Sequence, residues 1–327
     1  MTKRYDVLGA GIAAVDDLLY IEEYPPVNCK IPVARSVRRG GGPACTAIAA
    51  VGALGGSTAY IARLGGNDLS NYIKASLERR GVDISHIISD PAGGPYHSII
   101  TVDKAGQRNV FYDPSLYRLV TRKDLPASLV QSAAVFLIDH LSEPGLVGTA
   151  EHVRGLGIPL LGDIEGCSET ARQLAAITDY LIVPREFAAW ESGETAAADA
   201  CAHLARVPRL ATVVTCGPEG CYFSIGRSGP VKHFPAFNVT ALNTNGCGDT
   251  FHGAFAMAVA RGLEVEDAIA FSSAAAAIKA MTPENQGTGW DALPTLDTVL
   301  AFLRDQFDLP HKSALLEKLD RLKLPRQ

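Results

Sequence analysis

The sequence predicts an α/β fold with a three-layer, doubly wound and mostly parallel sheet, and with a second, small β-sheet beside it. The first observation behind this prediction is an alternation of short apolar runs and amphipathic helical stretches from residue 135 onward. Such alternation is typical of a parallel sheet that helices cover on both faces. The second observation is that two β-rich segments, residues 17–39 and 95–113, interrupt the alternation. We expect these two segments to form the small sheet together.

Composition limits the class of protein. The chain has 327 residues, of which 47% are hydrophobic and 20% charged, as in ordinary globular proteins. Its formal net charge of -5 argues against a nucleic-acid partner. No apolar run approaches the roughly 18 residues that span a membrane, and the first residues lack the apolar core of a signal peptide. The seven cysteines form no CxxC pair, so we expect neither disulfides nor zinc, and we expect a cytoplasmic location without a membrane partner.

The predicted elements follow in order along the chain. Apolar residues 5–8 form the first predicted strand, and residues 18–21 and 29–39 have an extended pattern. Pro43 suits the start of a helix over residues 44–54, and Gly55 suits its end. Further strands are predicted at residues 58–62, 96–102, 109–112, 135–138, 159–161, 180–183, 211–215 and 237–242, and further helices at residues 69–77 and 195–205.

The run Gly9-Ala10-Gly11-Ile12-Ala13-Ala14 imitates the glycine spacing of a dinucleotide-binding loop. That interpretation requires a helix directly after the glycines, within a βαβ unit. Here an extended run at residues 18–21 and the pair Pro25-Pro26 follow instead. The sequence therefore argues against a dinucleotide site at this position.

Residues 243–251 read Asn-Thr-Asn-Gly-Cys-Gly-Asp-Thr-Phe and precede an amphipathic helix. Glycines at such a turn let backbone N–H groups converge on an anion, and the helix dipole favours negative charge there. Asp249 stands in the first helical turn, where it could accept a hydroxyl proton. This layout suits phosphoryl transfer, with Gly246, Cys247 and Gly248 as an anion hole and Asp249 as the base. The alternative is that the glycines only form a tight turn and that Asp249 only favours the helix dipole.

Two further motifs stand where ligands commonly bind. Gly41 and Gly42 precede the helix that starts at Pro43, which allows close approach of a ligand to the backbone. The loop that contains Thr215, Gly217 and Gly220 follows a predicted strand at its carboxyl end, the edge at which α/β sheets bind ligands.

In these motifs the chain resembles the ribokinase-like (PfkB) carbohydrate kinase family over nearly its whole length. The resemblance is carried by Asp16, Gly41-Gly42, the Thr215–Gly220 loop and Gly246–Asp249, whose order and separations match the family. It implies an ATP-dependent phosphotransferase that uses Mg²⁺. The implied acceptor is a primary hydroxyl group of a small-molecule sugar or sugar derivative. A nucleoside kinase and a catalytically weak sugar-binding or regulatory protein are the alternatives on the same scaffold.

The resemblance also implies a role for each motif. Residues 1–16, 40–94 and 114–327 would form the core that binds nucleotide and substrate. Segments 17–39 and 95–113 would form a lid that closes on the sugar and joins two subunits into a homodimer. The implied site residues are Asp16, Gly41, Gly42, Thr46, Lys30 and Tyr112 for the sugar, Thr215, Gly217 and Gly220 for the nucleotide, and Gly246, Cys247, Gly248 and Asp249 for catalysis.

The chain departs from the family pattern at four positions. Asn243 stands where the family usually has Asp near a monovalent-cation site, which puts K⁺ activation in question. Of the family's Asn-x-x-Glu magnesium motif, only Glu186 is left as a candidate. Thr46 stands where many members have Asn, so a hydroxyl replaces an amide. Cys247 stands where alanine is common, and it is either a thiol with a lowered pKa or a small packing residue.

The nature of the substrate stays open at this point. Basic residues of the two lid segments could clamp an anionic group on the sugar, or they could be ordinary solvated charges. The stretch 40–44 with Lys30 upstream resembles sulfofructose kinases, although Leu141 and Tyr112 stand where that subgroup has polar, anion-binding residues. The basic residues concerned are Lys30, Arg35, Arg38, Arg39 and Arg108.

Overall fold

The computed structural model describes residues 3–139, 145–283, 289–305 and 312–320. Its strands, numbered in chain order, are β1 Tyr5–Ala10, β2 Ala14–Tyr20, β3 Arg35–Gly41, β4 Thr58–Ile61, β5 Arg63–Leu64, β6 Ile88–Ser89, β7 Tyr96–Val102, β8 Arg108–Asp113, β9 Ala133–Asp139, β10 Leu160–Asp163, β11 Tyr180–Pro184, β12 Ala211–Thr215, β13 Cys221–Ile225 and β14 Lys232–Phe234. Its helices are α1 Pro43–Ala53, α2 Asp68–Glu78, α3 Ala127–Val130, α4 Gly145–Gly155, α5 Glu169–Ile177, α6 Arg185–Ser192, α7 Ala197–Leu204, α8 Cys247–Ala260, α9 Val265–Met281, α10 Leu296–Asp305 and α11 Lys312–Asp320. Within these ranges, no helix combines the length and the apolar character needed to cross a membrane.

The large sheet has, within the described residues, eight strands in the order β14-β13-β12-β11-β10-β9-β1-β4. The strands from β4 to β12 pair in parallel, and β13 and β14 add an antiparallel edge. The chain passes from β1 to β4 on one side and later to β9 on the other side, so the strand order reverses at β1. The predicted doubly wound, mostly parallel sheet is confirmed, and such sheets bind ligands at the carboxyl ends of the strands around the reversal.

Helices cover both faces of this sheet. Buried residues of α1, α2, α8, α9, α10 and α11 form one core cluster, and those of α4, α5, α6 and α7 belong to a second. Strand β9 shows the consequence, because Val135 and Leu137 belong to the first cluster and Phe136 and Ile138 to the second. Successive side chains of a strand point to opposite faces, so a strand between two helical layers requires a continuous apolar run.

The small sheet has the order β3-β2-β7-β8 and takes its strands from both β-rich segments. β2 pairs antiparallel with β3 and parallel with β7, and β7 pairs antiparallel with β8. The first four residues of β3 are not buried, whereas its last three residues, which lead into α1, are buried. One end of the small sheet therefore packs against α1, α2 and the 3₁₀ turn at residues 289–292, while β8 is exposed at every residue.

Two predicted strands differ in the structure. Residues 237–242 form no strand, because the Leu242 N–H donates to the Ala280 carbonyl of α9 at 2.8 Å and Phe237 packs edge-on against Phe302 of α10. Phe237 of this run therefore packs against a helix instead of pairing in the sheet, while the Leu242 side chain is 56% exposed. Of residues 29–39, only those from Arg35 onward pair as β3, and the exposed residues before them are irregular.

The glycines that imitate a dinucleotide-binding loop have packing roles. Strand β2 follows β1, and no helix lies between them in this described part of the chain. A Cβ at Gly9 would overlap the Ile48 side chain of α1, and a Cβ at Gly11 would overlap the Asp139 carboxylate. Both positions require glycine because α1 and the end of β9 approach the β1 backbone so closely.

Candidate active site

A cavity of about 210 Å³ lies between the small sheet and the N-termini of α1 and α8. Its wall comes from β2, β3, β7 and β8, from the N-termini of α1 and α8, from the end of α9, and from a 3₁₀ turn at residues 289–292. The lining residues are Asp16, Arg39, Gly40, Gly41, Gly42, Thr46, Ile100, Arg108, Asn245, Gly246, Asp249, Lys279, Gly289 and Trp290. The structure therefore brings together predicted site residues that lie more than 200 positions apart in the sequence.

Helix α8 begins at the predicted glycine-rich turn. Its N-cap Gly246 has the left-handed conformation, with φ 74°, which favours glycine. The Cys247 N–H donates to the Thr244 carbonyl at 3.2 Å and closes the turn. The first N–H groups of a helix have no intrahelical acceptor. The N–H groups of Gly248 and Asp249 therefore point out of the N-terminal end of α8. The positive end of the helix dipole thus lies at the cavity.

The Asp249 carboxyl stands in the first turn of α8, at the cavity wall. Burial raises the pKa of Asp249 well above its usual range, and the negative charges of Asp163 and Glu165 raise it further. The Lys279 ammonium acts in the opposite direction. A carboxyl with a raised pKa is a stronger proton acceptor when it is ionised, which suits a general base.

Asp139 ties the start of β2 and the start of α1 to the large sheet. Its buried Oδ2 accepts hydrogen bonds from the N–H groups of Ile12 at 2.7 Å and of Ala44 at 3.2 Å. Asp139 and Asp163 are register partners at the carboxyl ends of β9 and β10. The edge of the sheet beneath the cavity is therefore acidic, and the Asp139 contacts hold the Gly41–Gly42 backbone in place.

Asp16 lies across the backbone of the Gly41–Gly42 segment. A Cβ at Gly41 would stand 2.6 Å from Oδ2 of Asp16, so glycine leaves room for the carboxyl. Gly42 has φ 88° and is required for the turn into α1. Burial raises the pKa of Asp16, while a hydrogen bond from Ser98 and the charge of Arg39 lower it. A carboxylate held in this way can accept hydrogen bonds from two hydroxyl groups.

The His252 side chain contacts the backbone of the first turn of α8 and the backbone of β11. Its Nδ1 lies 2.8 Å from the Gly248 carbonyl and its Nε2 lies 3.1 Å from the Ile182 carbonyl. Because both ring nitrogens contact backbone carbonyls and the side chain is buried, this histidine holds the turn against β11 and is not directed into the cavity.

Cationic side chains from three elements reach the cavity. Arg39 of β3 is buried at its wall, and Lys279 lies in the last turn of α9. Arg108 of β8 donates a short hydrogen bond to the side-chain oxygen of Asn245. This contact connects the small sheet directly to the turn before α8.

The other basic residues of the predicted lid are held elsewhere. Arg38 forms a two-pronged ion pair with Asp17, with both N–O distances at 2.7 Å. Arg35 lies over the Tyr20 ring, with its guanidinium carbon 4.1 Å from the ring centroid. Of the five basic residues, only Arg39 and Arg108 therefore line the cavity.

Lys30 and Tyr112 were predicted to contact sugar, and the structure does not bring them to the cavity. Lys30 is exposed in the irregular chain before β3. Tyr112 is 64% exposed on the outermost strand of the small sheet, where it stacks on Tyr96 with ring centroids 6.0 Å apart. Edge-strand geometry, which the sequence does not reveal, turns this side chain outward. Leu141 lies outside the described residues.

The loop predicted for the nucleotide lies along the same edge of the sheet. β12 ends at Thr215, a 3₁₀ turn covers Gly217–Glu219, and Gly220 leads into β13. Gly220 has φ 93°, and a Cβ there would overlap the Phe234 carbonyl. β12 is three strands from β9, or roughly 14 Å at the usual strand spacing. This loop is thus separate from the cavity but on the same side of the sheet.

Glu186 is not at the cavity either. It is exposed in the first turn of α6, next to an Arg185 that pairs with Glu219 at 2.6 Å. Another carboxylate beside the α8 turn is Glu165, whose Oε1 lies 3.8 Å from the place of a Cβ on Gly248. In the described ranges, no cluster of three or more His, Cys, Asp or Glu side chains could hold a metal ion.

The Cys247 side chain packs inside the turn. Its Sγ lies 3.8 Å from the Asn243 carbonyl, and burial raises the pKa of Cys247 to about 11 despite the nearby Lys279 charge. A thiol with this pKa stays protonated near neutral pH. Burial and the raised pKa therefore favour a small packing residue over a reactive thiolate.

Sequence reasoning missed several residues of the site. Asp139 and Asp163 each end a buried apolar strand, and this pattern at the carboxyl edge of a parallel sheet was a usable signal. Lys279 is a lone charge in a helical stretch of small residues, a weaker signal. Trp290 lies in a 3₁₀ turn far along the chain and carries no local signal.

Comparison with known proteins identifies the family of this chain. Residues 11–291 match the family described as pfkB family carbohydrate kinase. The chain is 27% identical over 305 residues to Fructokinase-1 of Oryza sativa subsp. japonica, covering 81% of this chain and 87% of that protein. It is 23% identical over 289 residues to the ribokinase of Staphylococcus aureus, covering 85% and 93%. The structure of Arabidopsis thaliana ribokinase complexed with ribose and ATP has the same fold, with a TM-score of 0.82, 19% identity, and coverage of 94% of this chain and 100% of that chain. The chain therefore belongs to the pfkB family of carbohydrate kinases, and it is a sugar kinase.

Proposed function

We propose that this kinase transfers the terminal phosphoryl group of ATP to a primary hydroxyl of a sugar or sugar derivative, with Asp249 as the base. The observation that carries the proposal is the position of Asp249, at the N-terminus of α8 and on the wall of the cavity that Asp16 also lines. One small space thus contains a proton acceptor, the positive end of a helix, and a carboxylate suited to sugar hydroxyls.

The proposed step follows from these groups. Asp249 accepts the proton of the sugar hydroxyl while the hydroxyl oxygen forms a bond to the terminal phosphorus of ATP. The bond from that phosphorus to the bridging oxygen breaks, and ADP leaves with the bonding electron pair. The N–H groups at Gly246–Gly248 stabilise the charge on the transferring phosphoryl oxygens. Because the Cys247 N–H already donates to Thr244, we assign most of this stabilisation to the neighbouring N–H groups.

The walls of the cavity favour a sugar over a nucleoside. Asp16 and Thr46 offer an acceptor carboxylate and a hydroxyl, and the glycine backbone between them offers further polar groups. Among the described lining residues, Trp290 is the one aromatic side chain, and it is 4% exposed. A nucleoside base would need an exposed stacking surface, which this ring does not offer.

The position of the Thr215–Gly220 loop supports ATP as the donor. It lies at the same sheet edge as the cavity and three strands away, so an extended nucleotide between loop and cavity would direct its phosphates to the α8 turn. The Arabidopsis ribokinase of the same fold was solved with ribose and ATP. We therefore propose Thr215, Gly217 and Gly220 as the nucleotide-binding residues.

We propose that Mg²⁺ enters with the nucleotide. Mg²⁺ keeps several waters and takes most other ligands from phosphates, so one nearby carboxylate suffices for its binding. Glu165 lies beside Gly248 of the α8 turn, whereas Glu186 lies in the first turn of α6 and does not line the cavity. The ion would neutralise charge on the phosphate oxygens. Asn243 brings no charge to this region, and its side-chain oxygen accepts the Asn245 N–H at 3.0 Å, so we expect no K⁺ requirement.

We also propose that the small sheet is the lid and that it pairs two copies of the chain. β8 is an edge strand and exposed at all of its residues, including Val110, Phe111 and Tyr112 at 53%, 63% and 64% exposure. An exposed apolar edge strand favours association unless another surface covers it. A second copy would cover it symmetrically, and the Arg108–Asn245 contact would then link the dimer interface to the active site.

The test is a screen for ADP release with ATP and Mg²⁺ over neutral sugars, sugar acids, sugar phosphates and nucleosides. We expect turnover with a sugar or sugar derivative, and ³¹P NMR of the product should show a phosphate monoester on a primary carbon. Turnover with nucleosides alone would contradict the sugar assignment. ADP release with none of the compounds would favour a binding or regulatory role.

A further inference from the structure

Lys279 combines burial with a place on the cavity wall. Its side chain is 1% exposed, yet it lines the same cavity as Asp249 and Gly246. It lies in the last turn of α9, in a stretch of small and apolar neighbours, Ala274, Ala275, Ala276, Ala277, Ile278 and Ala280. Its Cε lies 3.8 Å from the place of a Cβ on Gly246, the N-cap of α8.

No described residue accepts a hydrogen bond from the Lys279 ammonium or pairs with it within 4.0 Å. Burial lowers the pKa of Lys279, and the charge of Arg39 lowers it further, while Cys247 and Asp249 act in the opposite direction. Burial disfavours a charged ammonium unless acceptors or opposite charges replace the lost water. A cation near the C-terminus of a helix gains only a small stabilisation from the dipole. Stabilisation of α9 therefore does not account for this lysine.

The surroundings of the ammonium are suited to an anion. The positive N-terminal end of α8 is on one side and the Arg39 guanidinium is on another. An ammonium group can only donate hydrogen bonds, so the anionic oxygens of a ligand in the cavity are suitable acceptors for it. Asp249 offers partial charge compensation, but its carboxylate is required for the hydroxyl proton.

We propose that Lys279 is a catalytic residue that binds the anionic oxygens of the phosphoryl group during transfer, together with the N-terminus of α8. This inference rests on the proposed function and adds a residue to it. Lys279 keeps its proton throughout the step, since Asp249 takes the hydroxyl proton. Charge on the phosphoryl oxygens is thus met by an ammonium that the protein already holds at the cavity wall.

The main test compares Lys279→Met with the wild-type protein on the sugar found by the screen. We expect kcat to fall by about 10²-fold, as for loss of one oxyanion donor, with the sugar KM nearly unchanged. Arg209→Met is the matched control, because Arg209 is 8% exposed, donates to the Ala175 carbonyl, and packs on the other helical layer. This control should lower the melting temperature while it keeps kcat.

Two further measurements separate charge from packing. In Lys279→Ala, added ethylammonium should restore part of kcat, while tetramethylammonium at the same ionic strength should not. Binding of ADP with aluminium fluoride and sugar, measured by calorimetry, should weaken in Lys279→Met by about the same factor as kcat.

Two results would overturn the proposal. One is a Lys279→Met protein that is folded and has wild-type kcat. The other is a rise in KM for acidic sugars alone with kcat for neutral sugars unchanged, which would assign Lys279 to an anionic group of the substrate. Absence of kinase activity in the wild-type protein would instead contradict the proposed function. The screen detects this outcome before any variant is made.

Discussion

The indole N–H of Trp290 donates a hydrogen bond to the Thr46 hydroxyl, with 2.9 Å between Nε1 and Oγ1. Both residues are buried, and the Trp290 ring lies 2.8 Å from the place of a Cβ on Gly40. Since the hydroxyl oxygen accepts from the indole, the hydroxyl proton is left to donate elsewhere. The bond thus fixes the polarity of Thr46 at the cavity wall, at a position where many family members have Asn.

We expect Trp290→Phe to weaken sugar binding. The substitution removes the donor and keeps an aromatic ring beside Gly40, so Thr46 loses its fixed orientation. Loss of one hydrogen bond of about 1 kcal/mol predicts a rise of roughly fivefold in the sugar KM, with kcat little changed. Steady-state kinetics measures this effect. Trp190→Phe on α6, where the side chain is 39% exposed, is the control that should leave KM unaltered. An unchanged KM in Trp290→Phe would show that the bond has no role in sugar binding.

The role of Asp249 is tested by Asp249→Asn. An amide cannot accept the hydroxyl proton, so we expect turnover to fall by at least about 10²-fold while the fold is retained. Rapid-quench or coupled assays measure turnover, and circular dichroism checks the fold. Asp199→Asn, at an exposed position of α7, is a control for loss of one carboxylate. If Asp249→Asn kept most of the wild-type turnover, the assignment of the base would be wrong.

The same substitution should change how stability depends on pH. Burial and neighbouring carboxylates raise the pKa of Asp249, and Asp163 is affected in the same direction. When the pKa of an aspartate is higher in the folded than in the unfolded protein, the protonated group favours the folded state. This stabilisation is fully present below the unfolded-state pKa of about 4, and it is lost as the pH rises through the folded-state pKa. We expect Asp249→Asn to melt at nearly the wild-type temperature near pH ~4 and above it near pH ~8. Melting curves across this range measure the difference, and a difference independent of pH would contradict the raised pKa.

The strand and helix order, and the turn before α8, could be predicted from the sequence for local reasons. Strands between two helical layers need continuous apolar runs, and the left-handed N-cap at Gly246 needs glycine. The apolar run 237–242 was misleading because Phe237 packs against Phe302 of α10, and Leu242 is bound to α9 through its backbone N–H. The spacing of apolar residues along a sequence indicates which residues are buried, but it does not indicate whether a strand or a helix covers them.

Residues that reach the cavity from a distance could not be predicted. Trp290 contacts Thr46 across 244 positions, and Lys279 faces Gly246 because α9 packs on α8. Lys30 and Tyr112 were expected at the sugar because they lie in the lid segments. Their actual positions depend on which strand of the small sheet is outermost and on where β3 begins, which no local pattern specifies.

The close contact between Gly41 and Asp16 predicts the effect of Gly41→Ala. The added Cβ would stand 2.6 Å from Oδ2 of Asp16, so the carboxylate would have to move away from the cavity. We expect the sugar KM to rise by about tenfold, the loss of roughly one hydrogen bond to a charged group. Gly148→Ala on α4 is the matched control, because a Cβ there would have no neighbour within 4 Å. Kinetics on both variants checks the prediction, and equal KM values would show that Asp16 does not bind the sugar.

The exposed face of β8 predicts the oligomeric state. We expect the wild-type chain to sediment as a dimer and Phe111→Lys to sediment as a monomer, because a charge at a residue that is 63% exposed costs nothing in the monomer but opposes apolar pairing. Leu210→Lys, at a position 46% exposed and before β12, is the control that should remain a dimer. Sedimentation velocity across a range of protein concentrations measures the distribution. Since Arg108 of the same strand contacts Asn245 beside the active site, the monomer should also have a higher sugar KM. A monomeric wild-type protein, or a Phe111→Lys variant that stays dimeric, would assign the pairing to another surface.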